Sequence, residues 1–198
     1  GEDVSFPLNL SHKYDPKIIL LDPTKKSIKH WDEIKNYFKD KNYKFKGNIQ
    51  KDYYTNIKNL KPHLDNFKYI PVGLWNKKTI LKFYKQTNKN HVSQSLIKNM
   101  FSSEYDLVQV DTLKNIMKSL NITKIDVLKM DIEGAEIQVL NQMIIDNIYP
   151  KYLLVEFDLF LKRKDFTGQT KKIIDLLLSI GYKIIYNDNL NITFEYII

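Results

Sequence analysis

An α/β fold with a Rossmann-like, doubly wound and mostly parallel sheet is what this sequence predicts, and three observations carry the prediction. Short apolar runs of strand length recur at residues 18–21, 67–72, 107–110, 125–130 and 152–157. Most are followed by helical spacing, as with Leu113, Ile116, Met117 and Leu120 after the third run. Strands that alternate with helices form parallel sheets with right-handed crossovers. The third observation is a closing exception: residues 182–186 and 192–197 flank Asn187-Asp188-Asn189, a turn-forming cluster. They predict a C-terminal antiparallel hairpin at the sheet edge.

Taken in order, residues 7–14 read as a short helix entered from a loop at 1–3. The run at 18–21 ends in Asp22-Pro23, as a buried strand and its exit do. Thr24 is placed to cap a helix that continues through Ile28, Trp31, Ile34 and Phe38. Residues 39–62 are polar, tyrosine-rich and weakly patterned, and read as an irregular excursion with a short hairpin around Gly47. Strand character returns at 67–72 and stops at Gly73, and 79–84 alternates like a half-buried strand. A turn at 88–90 and a loop at 91–95 precede the strand at 107–110 and a helix at 112–120. The helix after the central strand carries Ile137, Leu140, Met143 and Ile144 on one face and ends near Asn147 and Pro150. The strand at 152–157 ends in Glu156 and Asp158, and an amphipathic helix at 170–180 closes at Gly181. No repeat or linker divides the chain, so residues 1–198 are read as a single domain.

Composition bounds the function. At 198 residues, with 43% hydrophobic and 13% aromatic content, the chain can bury a substantial core. It has no apolar run of membrane-spanning length and no signal-peptide pattern. The absence of cysteine excludes a disulfide framework and a thiolate metal site. A cytoplasmic location is expected and is compatible with these features. The formal charge of +8 comes almost wholly from lysine, Arg163 being the single arginine. Nucleic-acid readers rely on arginine for bidentate contacts. Lysines scattered among asparagines and tyrosines read as a solvated surface, so neither nucleic acid nor membrane is expected as a partner.

The chemistry concentrates where the central strand stops. Residues 125–130 end in Asp131, Glu133 and Glu136 around Gly134, and a helix starts at once. Ligands of open α/β sheets lie outside the carboxyl ends of the strands. Lys129-Met130-Asp131-Ile132-Glu133-Gly134-Ala135-Glu136 resembles the K-x-D-x-E-G-x-E signature of FkbM-type methyltransferases. The segments 153–158, 1–6, 20–24, 71–75 and 91–95 are similar to further family segments in the same order. The resemblance implies S-adenosyl-L-methionine as cofactor and transfer of its methyl group to a hydroxyl oxygen of a small-molecule or sugar acceptor. It also implies a strand and a glycine turn ahead of Gly1, so the family's first strand is expected to be missing from this chain.

The resemblance assigns roles residue by residue. Gly1, Glu2 and Asp3 match the loop beneath the methionine part of the cofactor; a frayed terminus is the plain alternative. Asp22 matches the acid that binds the ribose hydroxyls, although an acid before Thr24 also suits a helix N-terminus. Gly73 and Leu74 end the strand beside the adenine position, with Trp75 as a core or rim aromatic. Asp131 and Glu133 face the cleft, to hold the cofactor's amino group, orient a substrate hydroxyl or ligate a hard cation. Glu156 closes the neighbouring strand and is a second candidate to assist deprotonation. His91, with Ser93 and Ser95, lines the acceptor pocket or serves as a base, against the ordinary alternative of an exposed loop histidine. Glu136 is read as suiting the helix dipole, and Lys129 as pairing with a nearby acid. No metal set is assigned. Two rivals remain: a binding module with a methyltransferase-like fold, and a nucleic-acid methyltransferase, which the charge favours but for which no N-P-P-Y run is found.

Overall fold

The computed structural model describes residues 3–46, 52–84, 104–132, 134–157 and 168–197. Among them the chain forms two compact units, the first running to Gly73 and the second starting at Leu74.

The first unit contains helix α1 (Ser5–Tyr14), strand β1 (Ile18–Leu21), helix α2 (Lys25–Lys39), helix α3 (Tyr53–Ile57), a 3-10 turn at Leu64–Asn66 and strand β2 (Phe67–Ile70). β1 and β2 pair in parallel, Ile18 opposite Phe67 and Leu21 opposite Ile70. Parallel neighbours need a long crossover, which α2 and the segment behind it provide. Thr24 caps α2 as expected: its backbone is extended and its hydroxyl accepts the Ser27 N–H at 3.3 Å. The apolar stripe of α2 then brings Trp31 and Ile34 into a core with Val4, Leu8, Tyr53 and Ile57. Trp31 packs on Phe67, their ring centroids 5.1 Å apart.

The excursion at 39–62 is not irregular throughout. α3 inserts Tyr53 and Ile57, four residues apart on one helical face, into that core. Phe45 stacks on the next residue, Tyr54, with centroids 3.6 Å apart. A helix of five residues is too short to show a period and forms only because tertiary packing supports it. The hairpin expected around Gly47 falls outside the described residues.

The second unit contains β3 (Gly73–Leu74), whose Leu74 opens it, then β4 (Thr79–Tyr84), β5 (Tyr105–Asp111), α4 (Leu113–Ser119), β6 (Val127–Met130), α5 (Glu136–Ile145), β7 (Tyr152–Glu156), α6 (Gln169–Ser179), β8 (Tyr182–Asn187) and β9 (Asn191–Tyr196). One sheet has the order β3-β5-β4 and the other β6-β7-β9-β8. β6 and β7 are parallel, whereas β4–β5, β7–β9 and β8–β9 are antiparallel. A mixed α/β architecture is therefore observed, but its pairings among the described residues are not mostly parallel. The expected closing hairpin is part of the reason. A short turn between β8 and β9 permits only antiparallel neighbours, and β9 then lies between β7 and β8. In that turn Asp188 Oδ1 accepts the N–H groups of Leu190 at 3.1 Å and Asn191 at 2.7 Å. Helix ends also follow the sequence: Asn147 after α5 and Gly181 after α6 have φ of 56° and 107°. β5 is longer than the apolar run suggests because six of its residues pair with β4.

Buried Val108, Val110, Met130, Leu140, Met143, Leu153, Val155, Leu177 and Phe194 are part of this unit's apolar interior. No helix among the described residues is long and apolar enough to cross a membrane.

Candidate functional site

In the second unit, β6 alternates as a strand must: Met130 is buried and Lys129 faces out. Lys129 Nζ lies 3.9 Å from Asp131 Oδ2, with both side chains a little under half exposed. The expected pairing of Lys129 with an acid is thus present, as a loose ion pair at the strand's carboxyl end. Glu133 lies outside the described residues. Gly134 has φ of 99°, a conformation that suits glycine and lets the chain turn from β6 into α5.

Glu136, at the first position of α5, stands where an acid suits the helix dipole, as expected, but it is buried. It is 1% exposed, and its Oε1 accepts the N–H groups of Ile132 at 3.2 Å and Gly134 at 3.1 Å. One carboxylate oxygen therefore ties together the loop that follows Asp131. Its Oε2 is buried with no hydrogen-bond partner among the described residues. Burial pushes the Glu136 carboxyl above its ordinary range; the Gly134 and Ile132 bonds oppose this, and the Asp131 charge adds to the rise. The sequence held a signal for this burial: Glu136 stands four and seven residues before Leu140 and Met143, on the apolar side of α5.

On the neighbouring strand Glu156 is the last residue of β7, partly buried, and opposite Asn191 of β9. Asp158 and His91 lie outside the described residues, as do Ser93 and Ser95. Leu74 is buried, and the Trp75 N–H donates to Asp111 O at 2.9 Å, so this strand end is held by β5.

In the first unit, Asp22 follows directly on β1, where a ligand-binding carboxylate belongs. Its Oδ1 accepts the Thr24 N–H at 2.8 Å and its Oδ2 accepts the Ser27 hydroxyl at 2.9 Å. Its backbone carbonyl accepts the Tyr69 hydroxyl at 2.8 Å. This geometry has the helix N-terminal acid raised for Asp22, closing the N-terminus of α2, on a carboxylate that also sits at a strand's carboxyl end. Gly1 and Glu2 lie outside the described residues. Asp3 is exposed, and its Oδ1 accepts the Ser5 N–H at 2.8 Å just ahead of α1. Gly73, the last residue of this unit, is buried.

Sequence reasoning missed two further polar groups here. His30 of α2 is 6% exposed, and its Nε2 lies 3.4 Å from the Tyr53 hydroxyl. That hydroxyl also accepts the Val4 N–H at 3.1 Å. Burial lowers the His30 pKa to about 4, with the Asp3 charge opposing the drop. An unfolded chain takes up this proton near pH 6.5, and the folded one only near pH 4. Stability is therefore present above that window and is lost as pH falls through it. The expected loss is about 3 kcal/mol, from a proton taken up near pH 6.5 by the unfolded chain and near pH 4 by the folded one. Denaturant melts from pH 7 to pH 4 should show it, and His30→Gln should flatten the slope. A slope unchanged in the variant would place the titration on another group.

The family model of the Methyltransferase FkbM domain matches residues 5–184. The chain belongs to the FkbM methyltransferase family. The match runs from α1 into β8 and takes in Asp22, the 129–136 signature and Glu156. Residues 1–3 lie ahead of it. No curated protein and no solved structure gives a significant match. Among the described residues no group of three or more histidines and acids is placed to hold a metal ion.

Proposed function

We propose that this FkbM-family chain is an S-adenosyl-L-methionine-dependent methyltransferase that methylates a hydroxyl oxygen of a small molecule or glycan. The observation that carries the reading is the family signature lying where β6 turns into α5, with Asp131 at the strand end and Glu136 beneath its loop. The match across both units supports taking them as parts of one domain of the doubly wound methyltransferase class.

The chemistry at Asp22 fits the cofactor. A carboxylate that ends a strand accepts hydrogen bonds from vicinal ribose hydroxyls, and Thr24 and Ser27 already fix its orientation. When bound, the cofactor supplies an electrophilic methyl group on a sulfonium. The protein's part is to hold the acceptor oxygen in line and keep water out. Asp131 accepts or orients the acceptor hydroxyl's proton, and Lys129 steadies its charge. Glu156 is the second acid available for that task. We assign Gly1, Glu2 and Asp3 to the methionine end of the cofactor, Gly73 and Leu74 to the adenine, and Glu133 and His91 to the acceptor side.

The test is calorimetric titration of S-adenosylhomocysteine into the protein expressed from its whole reading frame. Radiolabelled methyl transfer into a panel of glycans and hydroxylated small molecules accompanies it. Micromolar binding with label in a hydroxylated acceptor is expected. Binding without transfer to any acceptor would favour a non-catalytic module, and no binding at millimolar ligand would refute the cofactor assignment.

A further inference from the structure

The Asp3–Val4 junction is held by a side chain from a distant part of the chain. Val4 precedes the first turn of α1, so its N–H has no place in the helical ladder and must find another partner once buried. The Tyr53 hydroxyl supplies it at 3.1 Å, across 49 residues of sequence. Tyr53 is itself 4% exposed, and α3 exists where the sequence shows little pattern. A tyrosine hydroxyl accepts and donates at once. With its oxygen taking the Val4 N–H, its proton can go to His30 Nε2 at 3.4 Å in the neutral tautomer that carries its proton on Nδ1, and burial keeps that ring neutral.

The chain of contacts continues along α2. His30 lies about one turn beyond Ser27, whose hydroxyl donates to Asp22 Oδ2 at 2.9 Å. One helix thus holds Asp22 at its start and, through His30 and Tyr53, the backbone that leads out of Gly1-Glu2-Asp3. Both ends of this relay are residues assigned above to the cofactor. A hydrophobic residue at position 53 would fill the same core space without the hydroxyl. The polar group is therefore explained by what it fixes.

We propose that Tyr53 and His30 are positioning residues that set the Asp3–Val4 backbone relative to Asp22, so that the two contacts to the cofactor are organised before it binds. The inference rests on the cofactor assignment above. Organisation of this kind lowers the ordering cost of binding.

Tyr53→Phe keeps the ring and removes the hydroxyl, leaving a buried Val4 N–H unpaired. Its affinity for S-adenosylhomocysteine is expected to fall about tenfold, the size of one lost buried hydrogen bond. Ile57→Val, in the same helix and the same core, should lower the melting temperature while leaving affinity unchanged. Should Tyr53→Phe not fold, His30→Leu removes the relay's acceptor and should weaken binding in the same direction. Amide exchange at Val4 gives a readout that needs no ligand: slow in the wild type and fast in Tyr53→Phe. Unchanged affinity in Tyr53→Phe, or equal losses in Tyr53→Phe and Ile57→Val, would overturn the proposal while leaving the cofactor assignment standing. Wild-type protein that binds no ligand would overturn both, even with the Val4 amide protected.

Discussion

Asp22→Ala is expected to weaken S-adenosylhomocysteine binding by about a hundredfold or more, the loss of two charge-assisted hydrogen bonds at roughly 1.5–3 kcal/mol each, less relaxation. The same change removes the acceptor for the Thr24 N–H and the Ser27 hydroxyl, so some stability goes with it. Thr24→Ala separates the two effects. It deletes the cap on Ser27 but leaves the backbone N–H that Asp22 binds. A stability loss of about 1 kcal/mol with unchanged affinity is expected there. Calorimetry on the pair decides the matter: equal affinity losses in both variants would make Asp22 a helix cap and nothing more.

The second large effect is at Glu136. Glu136→Ala empties a buried site and takes the acceptor from two loop N–H groups, and should cost about 3 kcal/mol. Methyl transfer should fall further than stability explains, because the loop that loses its tie begins at Asp131. Glu136→Gln keeps an oxygen for both N–H groups and resembles a protonated carboxyl, so its loss should be under about 1 kcal/mol. The pH dependence has the opposite sign to that of a paired surface acid. A carboxyl whose folded pKa is raised binds its proton more tightly in the folded state, so its contribution is present at low pH and declines as pH rises above about 4.5. Denaturant melts of Glu136→Gln should lack that decline. Equal destabilisation by Ala and Gln would show that the two loop bonds are not what the carboxylate contributes.

These two acids differ in how far the sequence reveals them. Asp22 stands at the end of a continuous apolar run and before a threonine, so its place at a strand end and a helix start can be read directly. Glu136 has the same local look, an acid in a helical first turn, yet it is buried. Only its spacing to Leu140 and Met143 hints at that, and the two N–H groups it accepts are invisible until the loop around Gly134 is folded. His30 and Tyr53 give less warning still, since each meets its partner across tens of residues.

What the sequence by itself determined is local: strands as apolar runs, helices as stripes with Thr24 capping one of them, the terminal turn at Asn187-Asp188-Asn189, and the family signature at 129–136. Such features depend on neighbours within a turn or a hairpin, where periodicity and backbone hydrogen bonding act over a few residues. The tertiary structure alone decided the mixed strand directions, the helix at Tyr53–Ile57, and which polar groups go inside. Strand partners are chosen by burial summed over distant segments, and a buried polar group needs backbone N–H groups to meet it: for Tyr53 that of Val4, 49 residues away, and for Glu136 those of the loop that folds back just ahead of it.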